Sequence, residues 1–157
     1  MATLAFNREA ITPRPLKPAL LELDGISRES VEAHYKLYEG YVNKRNEIMG
    51  KLDELDIGSA NQVYSEVRAL KVDLTFAIGG IKNHEIYFEH LGGGGGEPDG
   101  VFGRLVARDF GSAGAWRTDL AATAMAGRGW AWTAYDWDER RLFNFLGDSQ
   151  NTFPVWN

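Results

Sequence analysis

The 157-residue sequence contains no cysteine, and this absence removes several kinds of functional site. Disulfide frameworks, thiolate metal sites and thiol nucleophiles are excluded, so His, Asp and Glu remain as the possible metal ligands. Histidine is scarce as well, with three residues in the chain. A site built on imidazole must therefore draw on His34, His84 and His90.

A basic excess and a long apolar run are also missing. The formal net charge is −5, and no stripe of Lys and Arg appears, which argues against a nucleic-acid partner. The first 17 residues lack the apolar core of a signal peptide, and no stretch approaches the roughly 20 apolar residues of a membrane span. We therefore expect no membrane partner and a cytoplasmic location.

The hydrophobic periodicity predicts an α+β fold that begins with a long α-helical hairpin. Three prolines in the first part of the chain predict an extended surface arm over residues 1–24. Apolar residues at helical spacing predict helices over about 31–55 and 60–91, which pair as an antiparallel hairpin domain over residues 25–91. Five consecutive glycines open a flexible linker over residues 92–100.

The remaining residues, 101–157, predict a small α/β lobe. Helical patterns cover 101–109 and 115–126, and two aromatic-rich runs, 129–135 and 141–146, predict an antiparallel β-hairpin. A stable sheet needs about three strands or a covering layer, so this lobe is expected to be truncated and its three-stranded sheet incomplete. Its unpaired edge predicts that a partner segment or further polypeptide completes the sheet.

The hairpin places candidate metal ligands on facing helices. His34 and Tyr41 are seven residues apart and share one helix face, with Tyr38 beside them, and His84 lies on the inward side of the second helix. Two inward imidazoles suit metals that prefer nitrogen ligands. A buried histidine is more often a hydrogen-bonded core residue, so the spacing leaves both interpretations open. His90 points elsewhere and is expected at the surface.

Two further features of the second helix are open to interpretation. Gly79 and Gly80 would weaken a helix, which predicts either close helix packing or room for a bulky neighbour. The carboxylates of Glu85 and Glu89 are expected on a solvated face.

Tryptophan is the last notable residue type. Trp130 and Trp132 share one face of a strand, where hydrophobic core is the plain interpretation. Trp116, Trp137 and Trp156 are expected to serve in packing or at an interface.

Taken in order, five motifs resemble one family. They are His34-Tyr35 with Tyr41-Val42-Asn43, then Asn83-His84, then the run from Gly92 to Gly100, then Phe110-Gly111-Ser112, and finally Gly129-Trp130-Ala131-Trp132. From about Ile26 to Asn157 the chain is similar in motif order and spacing to iron/manganese superoxide dismutases.

The resemblance implies roles for individual residues. His34 and His84 would be the hairpin's metal ligands, and Tyr41 the gateway phenol of a proton network. Gln150 would be the glutamine that hydrogen-bonds the metal-bound solvent in manganese-type members. Leu37 and Tyr38 stand where the family commonly has a His-His pair.

Further residues are implied to surround the metal. Trp130 and Trp132 would belong to an aromatic shell. Gly80 occupies the position where iron-type members often carry the glutamine, which favours manganese over iron.

The resemblance also implies an activity and its requirements. A manganese or iron ion, one per chain, would disproportionate superoxide, drawn in locally by Lys36, Lys44 or Lys82, in a homodimer or higher oligomer. The sequence stops before the family's Asp and third His ligands, so the 157-residue chain is expected to be inactive unless that segment is supplied. The alternative is a superoxide-dismutase-like structural or interaction module that lacks ligands and catalysis.

Overall fold

A computed structural model describes residues 9–151 of the chain. Within them the elements are α1 (Arg28–Glu54), α2 (Glu66–His90), α3 (Gly100–Phe110), α4 (Ala113–Ala126), β1 (Trp130–Asp136) and β2 (Arg141–Gly147). The predicted α+β class, with a helical hairpin followed by a smaller α/β part, is confirmed. The chain forms two compact units, which meet in sequence at Gly92 and Gly93.

Serine side chains begin both helices of the hairpin. Ser27 Oγ accepts the Ser30 N–H ahead of α1, and Ser65 Oγ accepts the Arg68 N–H ahead of α2. The second helix therefore starts later than the predicted residue 60. Asn61 Oδ1 accepts two backbone N–H groups in the preceding turn, and these bonds compete with helix formation.

The first unit buries apolar side chains from both helices and from the N-terminal arm, which we define as residues 9–24. Its main core cluster consists of Leu20, Val31, Tyr38, Val42, Ile81 and Phe88. The extended surface structure predicted for the arm is wrong at Pro18–Glu22, which form a 3-10 turn with Leu20 fully buried. Leucine side chains draw this part of the arm onto the hairpin, because burying them removes apolar area from water.

Polar side chains of α1 also hold the arm. The Asn46 amide group pairs with the Ile11 backbone, accepting its N–H at 3.1 Å and donating to its carbonyl at 2.8 Å. Arg45 Nη1 donates to the Glu9 carbonyl at 3.1 Å. These bonds satisfy backbone groups that have no sheet partner, so the arm follows α1 in a defined register.

The second unit is built on an antiparallel pair of strands. β1 and β2 pair from Trp130 opposite Gly147 to Asp136 opposite Arg141. Trp116 Nε1 on α4 donates to Thr133 Oγ1 at 2.8 Å, so this indole is a packing residue, as predicted. Trp137 lies exposed in the turn between the strands, and Trp156 is outside the described residues.

The glycine run between the units adopts conformations that other residues rarely take. Gly92, Gly95 and Gly96 have φ values of 79°, 68° and 105°. Gly93 and Gly94 do not share this left-handed backbone, and a Cβ added to either would meet nothing within 4 Å. Among the residues described, no helix is both long and apolar enough to cross a membrane.

Asp109 ties α3 to β2 and gives the second unit a dependence on pH. Hydrogen bonds from Arg108, and then from the Leu142 N–H, lower the pKa of Asp109 from 3.8 to about 2. Because the folded-state pKa is the lower one, this stabilisation is full above about pH 4 and is lost as the pH falls toward 2.

Replacing Asp109 by Asn should therefore lower the free energy of unfolding near neutral pH and much less in acid. Urea titrations of both proteins at about pH 6 and about pH 2.5 measure the difference. An equal loss at both pH values would contradict the assignment.

Candidate metal centre

The structure brings His34 of α1 and His84 of α2 together between the helices. Their ring centres are 4.9 Å apart and their planes make an angle of 83°. His84 is 2% exposed, and His34 is half-buried. The facing-helix arrangement expected from the sequence is present, and His90 is exposed.

Burial disfavours the charged form of both imidazole rings, and a hydrogen bond fixes the tautomer of His84. His84 Nδ1 lies 2.6 Å from the Gly80 carbonyl oxygen, which can only accept, so Nδ1 carries a proton. Burial lowers the pKa of His84 to about 4, against the opposing effect of the Gly80 bond. Burial also lowers the pKa of His34. At neutral pH His84 is uncharged, and its Nε2 keeps the lone pair that a metal ligand requires.

The separation of the two imidazole rings is within the range that one shared metal ion allows. A metal–nitrogen bond of about 2.1 Å places a ring centre roughly 3 Å from the ion, so two rings on one ion lie within about 6 Å of each other. The observed 4.9 Å satisfies this limit. Within residues 9–151 no group of three or more His, Asp or Glu side chains is placed to hold a metal ion.

Tyr41 explains the glycine at position 80. Its ring centre lies 5.4 Å from that of His84, and a Cβ built on Gly80 would come within 2.6 Å of the Tyr41 ring. A bulky neighbour, the second of the two explanations considered for Gly79 and Gly80, therefore accounts for Gly80. Glycine here lets the phenol ring lie against α2 beside the buried imidazole.

Tyr38 is buried near the histidines, but its hydroxyl is engaged elsewhere. It accepts the Arg14 backbone N–H at 2.8 Å and donates to Glu85 Oε1 at 3.2 Å. The solvated face predicted for Glu85 is wrong, since its side chain is 13% exposed beneath the N-terminal arm. Glu89, at 55%, is solvated as predicted and pairs with Lys17.

Two aromatic residues of α2 lie close to His34, and the sequence pattern did not assign Tyr87 to this site. The ring centres of Tyr87 and Phe88 lie 4.8 and 5.5 Å from that of His34. The sequence does place both residues near the site, because they follow His84 by three and four positions and therefore lie on neighbouring parts of the same helix face.

The aromatic pair that was predicted lies in the second unit. Trp130 and Trp132 stack on each other with ring centres 5.2 Å apart. Trp130 Nε1 donates to Gln150 Oε1 at 3.0 Å, which links two residues that the resemblance had named separately.

An open groove of about 540 Å³ runs along the first unit beside Tyr41. Lys36 and Lys44 lie on its α1 side, and Asp73 and Phe76 on its α2 side. Lys82 does not line the groove, and its ammonium lies 3.7 Å from Glu85 Oε2. The Lys44 ammonium also has an ion-pair partner, the carboxylate of Glu47. Of the three lysines considered for attracting an anion, two line the groove.

Comparison with known proteins agrees with this architecture. Residues 15–92 match the family model for the α-hairpin domain of iron/manganese superoxide dismutases. The chain is 43% identical over 145 residues to an iron superoxide dismutase of Aquifex pyrophilus, covering 89% of this chain and 67% of that protein.

Two further relatives extend the comparison. The iron enzyme of Aquifex aeolicus is also 43% identical, with the same coverage of 89% and 67%. A mitochondrial manganese superoxide dismutase of Charybdis feriata is 36% identical over 114 residues, covering 70% of this chain and 49% of that protein. The chain belongs to the iron/manganese superoxide dismutase family.

Proposed function

We propose that this chain acts as an iron/manganese-type superoxide dismutase, with His34 and His84 holding the metal ion. The observation that supports this function most directly is the pair of imidazoles from different helices with ring centres 4.9 Å apart. Family membership and the uncharged state of His84 support the same function. Two superoxide anions and two protons would yield one oxygen and one hydrogen peroxide.

The residues of the chain prepare the site for this reaction. Manganese or iron, when bound, supplies the one-electron oxidation of one superoxide and the one-electron reduction of another. The Gly80 carbonyl holds the His84 ring by its Nδ1–H and thereby directs Nε2 away from that bond. Tyr41, beside His84, would hold a proton on its hydroxyl for transfer to the peroxide product.

We propose that the site prefers manganese to iron, and two residues, Gly80 and Gln150, support this preference. Since the Tyr41 ring fills the space beside Gly80, a glutamine at that position has no room. By the resemblance, Gln150 would then be the glutamine of a manganese-type member, and its Oε1 accepts from Trp130 Nε1. Metal analysis after growth with both metals tests this preference, and selective loading with iron would contradict it.

Lys36 and Lys44 would attract the substrate anion against the net charge of −5. The rate of dismutation should then fall as ionic strength rises. Lys36→Gln should lower the low-salt rate about twofold and flatten this dependence. Lys71→Gln, which changes a lysine outside the groove, is the control, and equal salt slopes in both variants would argue against steering by Lys36.

The proposed activity is tested on the purified chain by metal analysis and by a superoxide dismutation assay. Iron or manganese near one ion per chain is the expected result, with dismutation once the Asp and third His ligands that the resemblance implies are supplied. A protein that takes up neither metal and does not dismute superoxide would favour the alternative, a superoxide-dismutase-like structural or interaction module.

We also infer that the chain associates as a homodimer or larger oligomer, or that a partner segment completes its sheet. The paired strands β1 and β2 support this, because a two-stranded sheet leaves edges that can bind a further strand. Sedimentation equilibrium measures the subunit number, and a monomer at all concentrations would contradict oligomer formation. The cytoplasmic location stays a prediction from the sequence.

A further inference from the structure

We propose that Arg14, Tyr38 and Glu85 form a clamp that positions His34 and His84 for metal binding. This inference rests on the proposed function, and it gives the N-terminal arm a part in the metal site. All three are positioning residues, because they act through the histidines.

The clamp joins the two helices beside both histidines. Tyr38 follows His34 by one turn of α1, and Glu85 is the residue after His84 on α2. The Tyr38 hydroxyl donates to Glu85 Oε1 at 3.2 Å, so one side-chain hydrogen bond crosses from α1 to α2 at this level. A sliding of one helix along the other would break this bond and separate the imidazoles.

The arm closes the clamp through Arg14. Its backbone N–H donates to the Tyr38 hydroxyl at 2.8 Å, and its Nη2 lies 3.4 Å from Glu85 Oε2. On the other side, the Tyr35 hydroxyl donates to the Arg14 carbonyl at 2.8 Å. Both backbone polar groups of Arg14 are therefore held by tyrosines of α1, which fixes where its guanidinium meets Glu85.

Ring packing connects the clamp to the imidazoles. The Tyr38 ring centre lies 6.4 Å from that of Phe88, and Phe88 lies 5.5 Å from His34 and 6.4 Å from His84. Tyr38 and Phe88 are buried, and close-packed interiors transmit small displacements. A shift of the Tyr38 ring therefore changes the packing against both histidines.

The energetic consequence is greatest where the clamp is buried. Tyr38 is 2% exposed, and removing its hydroxyl leaves the Arg14 N–H and Glu85 Oε1 each without one partner. These bonds are partly buried, and polar groups that lose a partner where water has limited access favour rearrangement over an unsatisfied state. The imidazoles would then sample separations less suited to one ion, and metal affinity would fall.

The test measures the affinity of the full chain for Mn²⁺ by chelator competition, at a temperature where every variant is folded by circular dichroism. Tyr38→Phe and Glu85→Gln, which keep the side-chain shapes, should each weaken Mn²⁺ binding about tenfold. Glu85→Gln keeps an oxygen that can accept from the Tyr38 hydroxyl but removes the charge that pairs with Arg14, so the two variants weaken the clamp through different bonds. The double variant should therefore lose more than either single variant and less than the sum of the two. The electron paramagnetic resonance spectrum of bound Mn²⁺ should change in the same variants.

Glu89→Gln is the matched control. Glu89 pairs with Lys17 on the same arm but is solvent-exposed, so its variant should bind Mn²⁺ as the unchanged chain does. Arg14→Gln removes the ion pair with Glu85 and keeps the backbone hydrogen bond to Tyr38, so it should weaken Mn²⁺ binding about threefold. If Tyr38→Phe or Glu85→Gln does not fold, Arg14→Gln takes its place in the test.

The possible results distinguish failure of the clamp proposal from failure of the proposed function. If the unchanged chain binds Mn²⁺ and the clamp variants bind it equally well with the same spectrum, the clamp does not position the site and the proposed function stands. If the unchanged chain does not bind Mn²⁺, or binds it equally after His84→Ala, the proposed use of the imidazole pair and this inference are both overturned.

Discussion

Replacing His84 by alanine is expected to abolish metal retention and to lower dismutation by at least about a hundredfold. Removing an outer partner of a metal ligand already costs roughly 10- to 100-fold in affinity or activity, and removing a ligand itself should cost more. The effect should be large because His84 is buried, uncharged at neutral pH and oriented by the Gly80 carbonyl. No other histidine can replace it, since His34 already occupies the facing position and His90 is exposed.

Metal content by plasma emission spectroscopy and the initial rate of superoxide loss measure the His84→Ala effect. His90→Ala is the control, because it removes an imidazole from the same helix at an exposed position. Its metal content and rate should match those of the unchanged chain. Full metal occupancy in His84→Ala would refute the assignment of His84 as a ligand.

Placing alanine at Gly80 is expected to destabilise the protein by about 1–3 kcal/mol and to reduce dismutation. The added Cβ would lie 2.6 Å from the Tyr41 ring, including its Cγ, which cannot swing aside as the end of a flexible chain can. Overpacking of this kind commonly costs about 1–3 kcal/mol. The displaced phenol would also lose its position 5.4 Å from the His84 ring.

Gly40 offers the matched control for Gly80. It lies inside α1, and a Cβ there would meet nothing within 4 Å. Since alanine is favoured over glycine in a helix by about 1 kcal/mol, Gly40→Ala should stabilise the protein slightly. Thermal unfolding and the dismutation rate measure both variants, and a Gly80→Ala protein as stable and active as Gly40→Ala would show that Tyr41 can move freely.

Local sequence was enough to predict the imidazole pair. The positions of His34 and His84 on the inward faces follow from helical periodicity, which depends on residues within a few turns. The start of α2 was harder, because side chains of Asn61 and Ser65 take backbone N–H groups that a helix would otherwise use. Periodicity carries no information about such competition.

The role of Glu85 shows where sequence reasoning failed. Its position beside Glu89 on a helix suggested a solvated face, and Glu89 does face solvent. Glu85 is covered by Arg14, about seventy positions earlier in the chain, and by Tyr38 on the facing helix. Such burial is set by contacts between distant segments, and a helical pattern alone cannot reveal which carboxylate an arm will cover.

The conformations of the glycine run also divide its five positions by their tolerance of mutation. At Gly93 and Gly94 the backbone is not left-handed and an added Cβ would meet nothing within 4 Å, so substitutions there should be nearly neutral. At Gly92, Gly95 and Gly96 the left-handed backbone opposes every other residue type. A random library over this run should therefore recover diversity at the second and third glycines and retain glycine at the remaining three.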